Sequence, residues 1–273
     1  MTTAHPPRLF RLALGVLPVI SLAACGSDGD STATAAGSNA APTPSTAPIS
    51  AFCDSLVALD ALDSPGGPTD PTPAQLREYG STLRPLIDTL RSGAPAAVGA
   101  SIATVTAAID RLDSGDGSAL ASPDFSAATE AIEQTGRTSC GYATVDVGAT
   151  NYAYTGAPAS VPAGRVSVTL TNTGTEPHLM LFVRKPDDVT DDLKFLQDYL
   201  GAVFSGSDAA MQQYLPYDVA GGGPFAAPGT ATTHVTDFAP GTYIYFCPIP
   251  VGGTDTGAPH FTQGMHGEFT VTG

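Results

Sequence analysis

At about residue 142 the spacing of apolar residues in this 273-residue chain changes from three or four to two. That change constrains the fold most. A helix buries positions that recur every 3.6 residues, whereas a strand with one buried face buries alternate ones. The chain therefore has to build two different kinds of core, and its length also exceeds that of one usual domain.

Before the switch the pattern is helical. Phe52, Leu56, Leu59 and Leu62 recur at helical spacing. Thr72-Pro73 predicts an N-cap followed by proline in the first turn, leading into Leu76, Tyr79, Leu83, Ile87 and Leu90. Pro85, inside that run, is expected to kink the helix. Val98, Ile102, Val105, Ile109 and Leu112 form the cleanest stripe, and Ser122-Pro123 repeats the cap signal ahead of Phe125, Ala128 and Ile132. Residues 49–141 are thus expected to form a small bundle of four short helices. This segment holds no His and its acids are scattered, so no catalytic constellation is read from it.

After the switch, Val166, Val168 and Leu170 alternate with Ser167, Thr169 and Thr171, and strand-like runs recur at 179–183, 242–246 and 269–272. Short strands punctuated by Gly and Pro predict an antiparallel β-sandwich or barrel over residues 142–273. An insertion at about 185–229 carries Val189, Leu193, Leu196 and Leu200 at helical spacing before Gly221-Gly222-Gly223. It is expected to be a helix plus loop laid over one end of the sandwich. The fold class is α + β, in two domains.

The first 24 residues belong to neither. Arg8 and Arg11 precede an apolar run at 12–24 that is too short to span a bilayer and reads as a signal-peptide core. It ends in Leu22-Ala23-Ala24-Cys25-Gly26, which resembles the lipobox of bacterial lipoproteins. That resemblance implies a lipidated Cys25 as the mature N-terminus, a membrane anchor and an extracytoplasmic location; an ordinary cleaved signal is the alternative. Several acyl chains would anchor firmly, at roughly 0.8 kcal/mol per buried methylene. Residues 25–48, rich in Ser, Thr, Ala, Gly and Pro, are expected to form a flexible tether. Without Arg8 and Arg11 the chain keeps nine basic against 26 acidic side chains, a net of −17. Such a charge argues against nucleic acid and anionic lipid as partners. It suits a basic protein partner, and equally plain solubility.

The chain has four Cys. With Cys25 assigned to lipid, Cys53 and Cys140 bracket the helical segment and are expected to pair as a disulfide in an oxidising compartment. Cys247 is left alone, and an unpaired thiol there is either buried and inert or a metal ligand.

Three segments bear on that choice. Asn172-Thr173-Gly174-Thr175-Glu176-Pro177-His178 places a His at a strand start after a Gly turn. Gly241-Thr242-Tyr243-Ile244-Tyr245-Phe246-Cys247-Pro248 ends a strand in Cys247, and Pro259-His260-Phe261-Thr262-Gln263-Gly264-Met265 precedes the last strand. In their order and flanking strands, residues 142–273 resemble a cupredoxin of the plastocyanin/azurin type. The resemblance implies a Greek-key sandwich whose metal ligands are His178, Cys247, His260 and Met265, holding one type 1 copper ion for electron transfer to a redox protein partner. A thiolate, two imidazoles and a thioether are a blue-copper donor set, whereas zinc has little use for the thioether.

Two departures accompany the resemblance. Twelve residues separate Cys247 from His260, a longer loop than small blue-copper proteins carry, and Leu179 follows His178 where many relatives have an Asn that supports the sulfur. His234 and His266 are expected to be outward-facing. Copper capture or delivery and a metal-free binding module are the competing readings. No His-x-His pair, nucleophile elbow or phosphate loop is present, so an enzyme is not expected.

Overall fold

A computed structural model describes residues 46–62, 65, 71–205, 207–214, 216–217, 222–253 and 257–273. The signal segment, Cys25 and the tether through residue 45 lie outside the described residues.

The first domain is the expected bundle. Its helices are α1 (Thr46–Asp60), α2 (Pro73–Gly93), α3 (Gly99–Leu112) and α4 (Pro123–Ser139). α1 begins three residues before the predicted start of the helical segment at residue 49. Thr72 caps α2 through a capping box: its hydroxyl accepts from Gln75 N at 3.3 Å, and Gln75 Oε1 accepts from Thr72 N at 2.9 Å. Ser122 caps α4 by accepting from Phe125 N at 3.2 Å. α2 runs on as one helix through Pro85. Phe52, Leu56, Leu90, Ile102, Ile109 and Leu112 fill the core. Cys53 in α1 and Cys140 at the end of α4 form a disulfide with Cα atoms 5.7 Å apart. Closing a loop of that length stabilises the fold by roughly 4–5 kcal/mol on the chain-entropy account.

The second domain is a sandwich of two four-stranded sheets. One has the order β2 (Ala153–Thr155), β1 (Ala143–Thr150), β4 (Gly164–Asn172) and β8 (Ala231–Phe238). The other has the order β3 (Ser160–Pro162), β10 (His266–Thr272), β9 (Gly241–Phe246) and β6 (Leu181–Arg184). A short pair, β5 (His178–Leu179) with β7 (Phe225–Ala226), closes one end. The sheets are mixed, which corrects the antiparallel expectation: β1 pairs with β4, and β3 with β10, in parallel. β2 and β3 lie in sequence between β1 and β4 and carry the chain across, so that β4 re-enters beside β1 in the same direction. Between the sheets, Val166, Val168 and Leu170 face Phe182, Tyr245, Phe269 and Val271, and Phe182, Phe238, Tyr243 and Phe269 pack as an aromatic cluster. The predicted insertion is helix α5 (Asp192–Ser205) followed by the single turn α6 (Asp208–Met211). α5 lays Leu196, Tyr199 and Leu200 over the sandwich, with Tyr199 edge-on to Phe246.

The bundle covers the outer face of the β2-β1-β4-β8 sheet, and the contact is polar. Arg137 on α4 donates to both carboxylate oxygens of Asp146 at 2.8–2.9 Å, to Ser167 O at 3.2 Å and to Thr169 Oγ1 at 3.1 Å. Glu130 accepts from Thr233 N at 2.9 Å, and Asp60 accepts from Val235 N at 2.7 Å. His234 therefore departs from expectation. Its side chain is only 13 % exposed and stands 3.5 Å from Asp60, because α1 covers the strand on which it sits.

Candidate metal centre

Each predicted ligand is placed by its own local device. His178 opens β5 at the end of a turn held by the wholly buried Asn172. The Asn172 amide donates to Glu176 O at 2.8 Å and Ala226 O at 2.9 Å, while its carbonyl accepts from Gly174 N at 2.8 Å. Gly174 is required for space: a Cβ there would stand 3.1 Å from His178 Nε2 and 2.6 Å from Asn151 Oδ1. Cys247 follows β9, its N donating to Met265 O at 3.1 Å and its O accepting from Phe261 N at 3.0 Å. His260 begins a 3-10 turn (His260–Gln263), and Gly264, at φ +107°, reverses the chain so that Met265 leads into β10.

The long loop between Cys247 and His260 is pinned at its base. Pro250 and Pro259 form an antiparallel bridge, Val251 N donates to Ala258 O at 3.0 Å, and His260 N donates to Ile249 O at 2.8 Å. The ligands therefore keep their spacing although the loop is long.

All four predicted ligands are buried at 0 % exposure. One ligand atom each from His178, Cys247 and His260 lie within 4.8 Å of one another, with Cys247 Sγ 3.4 Å from His260 Nδ1 and the two imidazole centroids 5.1 Å apart. Met265 is joined to both Cys247 and His260 through its backbone. His266 is half-buried rather than fully outward-facing, its Nδ1 lying 3.1 Å from Phe261 O.

The electrostatics favour neutral imidazoles. Burial, and then the neighbouring His260, push His178 down to about 4, with Glu176 opposing. Burial lowers His260 as well, again against Glu176. Burial raises the Cys247 thiol to about 11, although the amides of Leu179 and Ile249 and the Tyr154 hydroxyl favour its thiolate. Leu179 N stands 3.5 Å from the sulfur.

The residues fit a metal. Both ring nitrogens of His178 are sealed from solvent without a hydrogen-bond partner, a state that costs about 1–3 kcal/mol per unmet group. Bonds of roughly 2.0 Å to nitrogen and 2.3 Å to sulfur put tetrahedral ligand atoms about 3.5 Å apart, close to the observed sulfur–nitrogen separation. Two neutral imidazoles, a thiol that loses its proton on binding, and a thioether fit one type 1 copper ion.

The sequence alone did not mark two contributors, Glu176 and Tyr154. Glu176 accepts from Tyr152 OH at 2.8 Å and from Gly252 N at 2.8 Å, and stands 3.0 Å from His260 Nε2. Burial opposes its ionisation, but these three partners outweigh burial and hold the carboxyl below its ordinary value. Tyr154, half-buried, donates to Leu179 O at 2.5 Å. Only the position of Glu176 two residues before His178 offered a signal.

The sandwich and its convergent His, Cys, His and Met define a cupredoxin-like domain. No protein-family model matches the chain, and no curated protein matches it. Among solved structures it is similar to reduced auracyanin from Roseiflexus castenholzii, at 25 % identity and a TM-score of 0.33, over 48 % of this chain and 97 % of that one. It is also similar to rusticyanin from Thiobacillus ferrooxidans, at 22 % identity and a TM-score of 0.28, over 47 % and 77 %. A third is copper nitrite reductase from Nitrosomonas europaea, at 19 % identity and a TM-score of 0.27, over 48 % and 41 %.

Proposed function

We propose that this protein carries single electrons through one type 1 copper ion, outside a bacterial membrane to which Cys25 anchors it by lipid. The observation that carries the reading is the sealed ligand triangle, in which His178 has two unpartnered nitrogens beside the Cys247 thiol and His260. His178, Cys247, His260 and Met265 would hold the ion, and copper bound there supplies a one-electron couple.

The chain's own residues set the conditions for that couple. The strand ends and the pinned loop fix the ligands, so little rearrangement is asked of them. Burial excludes water, and the Leu179 amide supports the sulfur. The same burial supports a carrier over an enzyme, since no ligand atom opens toward a substrate, and it supports a carrier over a rapid copper donor. The Cys53–Cys140 disulfide supports an oxidising compartment. The acidic balance supports a redox partner that presents a basic surface.

A redox titration of copper-loaded soluble protein tests this. The reading expects intense thiolate-to-copper absorption that bleaches and returns reversibly with one electron per chain. Colourless loaded protein, or copper lost at each reduction, would reject it.

A further inference from the structure

His260 faces Cys247 Sγ with Nδ1 at 3.4 Å and Glu176 with Nε2 at 3.0 Å. An ionised carboxylate only accepts, so Nε2 carries the hydrogen and the Nδ1 lone pair is left toward the metal position. Glu176 is itself held from several directions. Tyr152 OH donates to Oε1, Gly252 N donates to Oε2, and the Asn172 amide holds the Glu176 backbone carbonyl at 2.8 Å. Its side chain is 20 % exposed and lies over an imidazole that is wholly buried.

Two of these supports sit in unusual backbone. Tyr152 has φ +62°, and among the described residues no other non-glycine has a positive φ. A turn position of this kind ordinarily takes Gly or Asn, and a bulky residue persists there when its surroundings demand it. Here the demand is visible: the ring of Tyr152 stands edge-on to His260 at 5.0 Å while its hydroxyl reaches Glu176. Gly252, at φ +70°, belongs to the lengthened loop between Cys247 and His260. That loop therefore returns a backbone N–H to the carboxylate that bonds its own terminal ligand.

We infer that Glu176 is a positioning residue for the copper ligand His260, and that Gly252 and the strained Tyr152 secure it. Glu176 fixes which nitrogen of His260 faces the metal, fixes the ring's rotation, and closes its outer edge. This rests on the copper reading above. Partners in that second layer tune both ligand basicity and affinity.

The test compares copper-loaded wild type with Glu176→Ala and Glu176→Gln, reading Cu(II) affinity, the electron paramagnetic resonance of the copper, and reduction potential. E176A keeps the thiolate-to-copper band but loses about 10–100-fold in Cu(II) affinity, and its potential rises. Each tenfold by which Cu(II) is weakened more than Cu(I) appears as about 59 mV. E176Q keeps an acceptor for Nε2–H and recovers most of the affinity, while its potential stays raised because the negative charge is gone. Wild-type affinity, resonance and potential in E176A would overturn the inference and leave the copper reading standing. Wild type without the band would sink both. If E176A does not fold, E176Q is read in its place: a raised potential supports the inference and a wild-type potential overturns it.

Discussion

The backbone amide of Leu179 stands 3.5 Å from Cys247 Sγ, so the residue after one proposed ligand donates toward the sulfur of another. The peptide plane is held from its other side by Tyr154, whose hydroxyl donates to Leu179 O at 2.5 Å and so keeps the amide aimed at the sulfur. A donor at the sulfur draws electron density away from the metal and favours the reduced ion. Tyr154→Phe removes the hydroxyl and keeps the ring. The copper band should persist while the reduction potential falls. A lost hydrogen bond is worth about 1 kcal/mol, or roughly 40 mV for one electron. Protein-film voltammetry of the two proteins measures this, and an unchanged or raised potential would contradict it.

The disulfide acts on the bundle and not on the metal. Cys53 and Cys140 join α1 to the end of α4, while the ligands lie in the sandwich. Replacing both by Ala should cost about 2–5 kcal/mol of stability. Thermal unfolding followed by far-ultraviolet circular dichroism should show the helical signal melting earlier. The visible spectrum of copper-loaded protein should stay as in wild type.

A buried acid makes the junction between the domains sensitive to pH. Glu133 Oε2 is sealed without a partner, and burial, then Asp60 and Glu130, raise its pKa well above 4.5; Asp60 is in turn paired with His234. A raised folded-state pKa gives stability that is present below about pH 4.5. As pH climbs, the unfolded chain releases its proton first, and that contribution is lost through the folded pKa. Glu133→Gln should therefore stabilise the protein at pH 7 by about 1–3 kcal/mol and make little difference near pH 4. Denaturant melts at the two values test the sign, and equal gains at both would contradict the account.

Much of this molecule is legible along the chain because its signals are local. The stripe from Val98 to Leu112, the caps at Thr72 and Ser122, and the Cys–His–Met order before the last strand all act over a few residues. What escaped is set by distant segments. Glu176 gains its meaning from Tyr152, Gly252 and His260, which are 24, 76 and 84 residues away. The Thr-rich β8 reads as solvent-facing, because polar alternation looks the same whether water or the polar face of α4 covers it. The parallel pairing of β1 with β4 follows from where the intervening chain crosses, and periodicity carries no direction.

The central claim is that four remote side chains trap one soft metal ion. Titrating metal-free protein with Cu(II), with metal per chain counted by elemental analysis, tests it directly against Cys247→Ser. Wild type should saturate at one tightly held ion with the thiolate-to-copper band growing in step, and C247S should never develop that band. Saturation without the band in wild type, or the same band in both proteins, would contradict it.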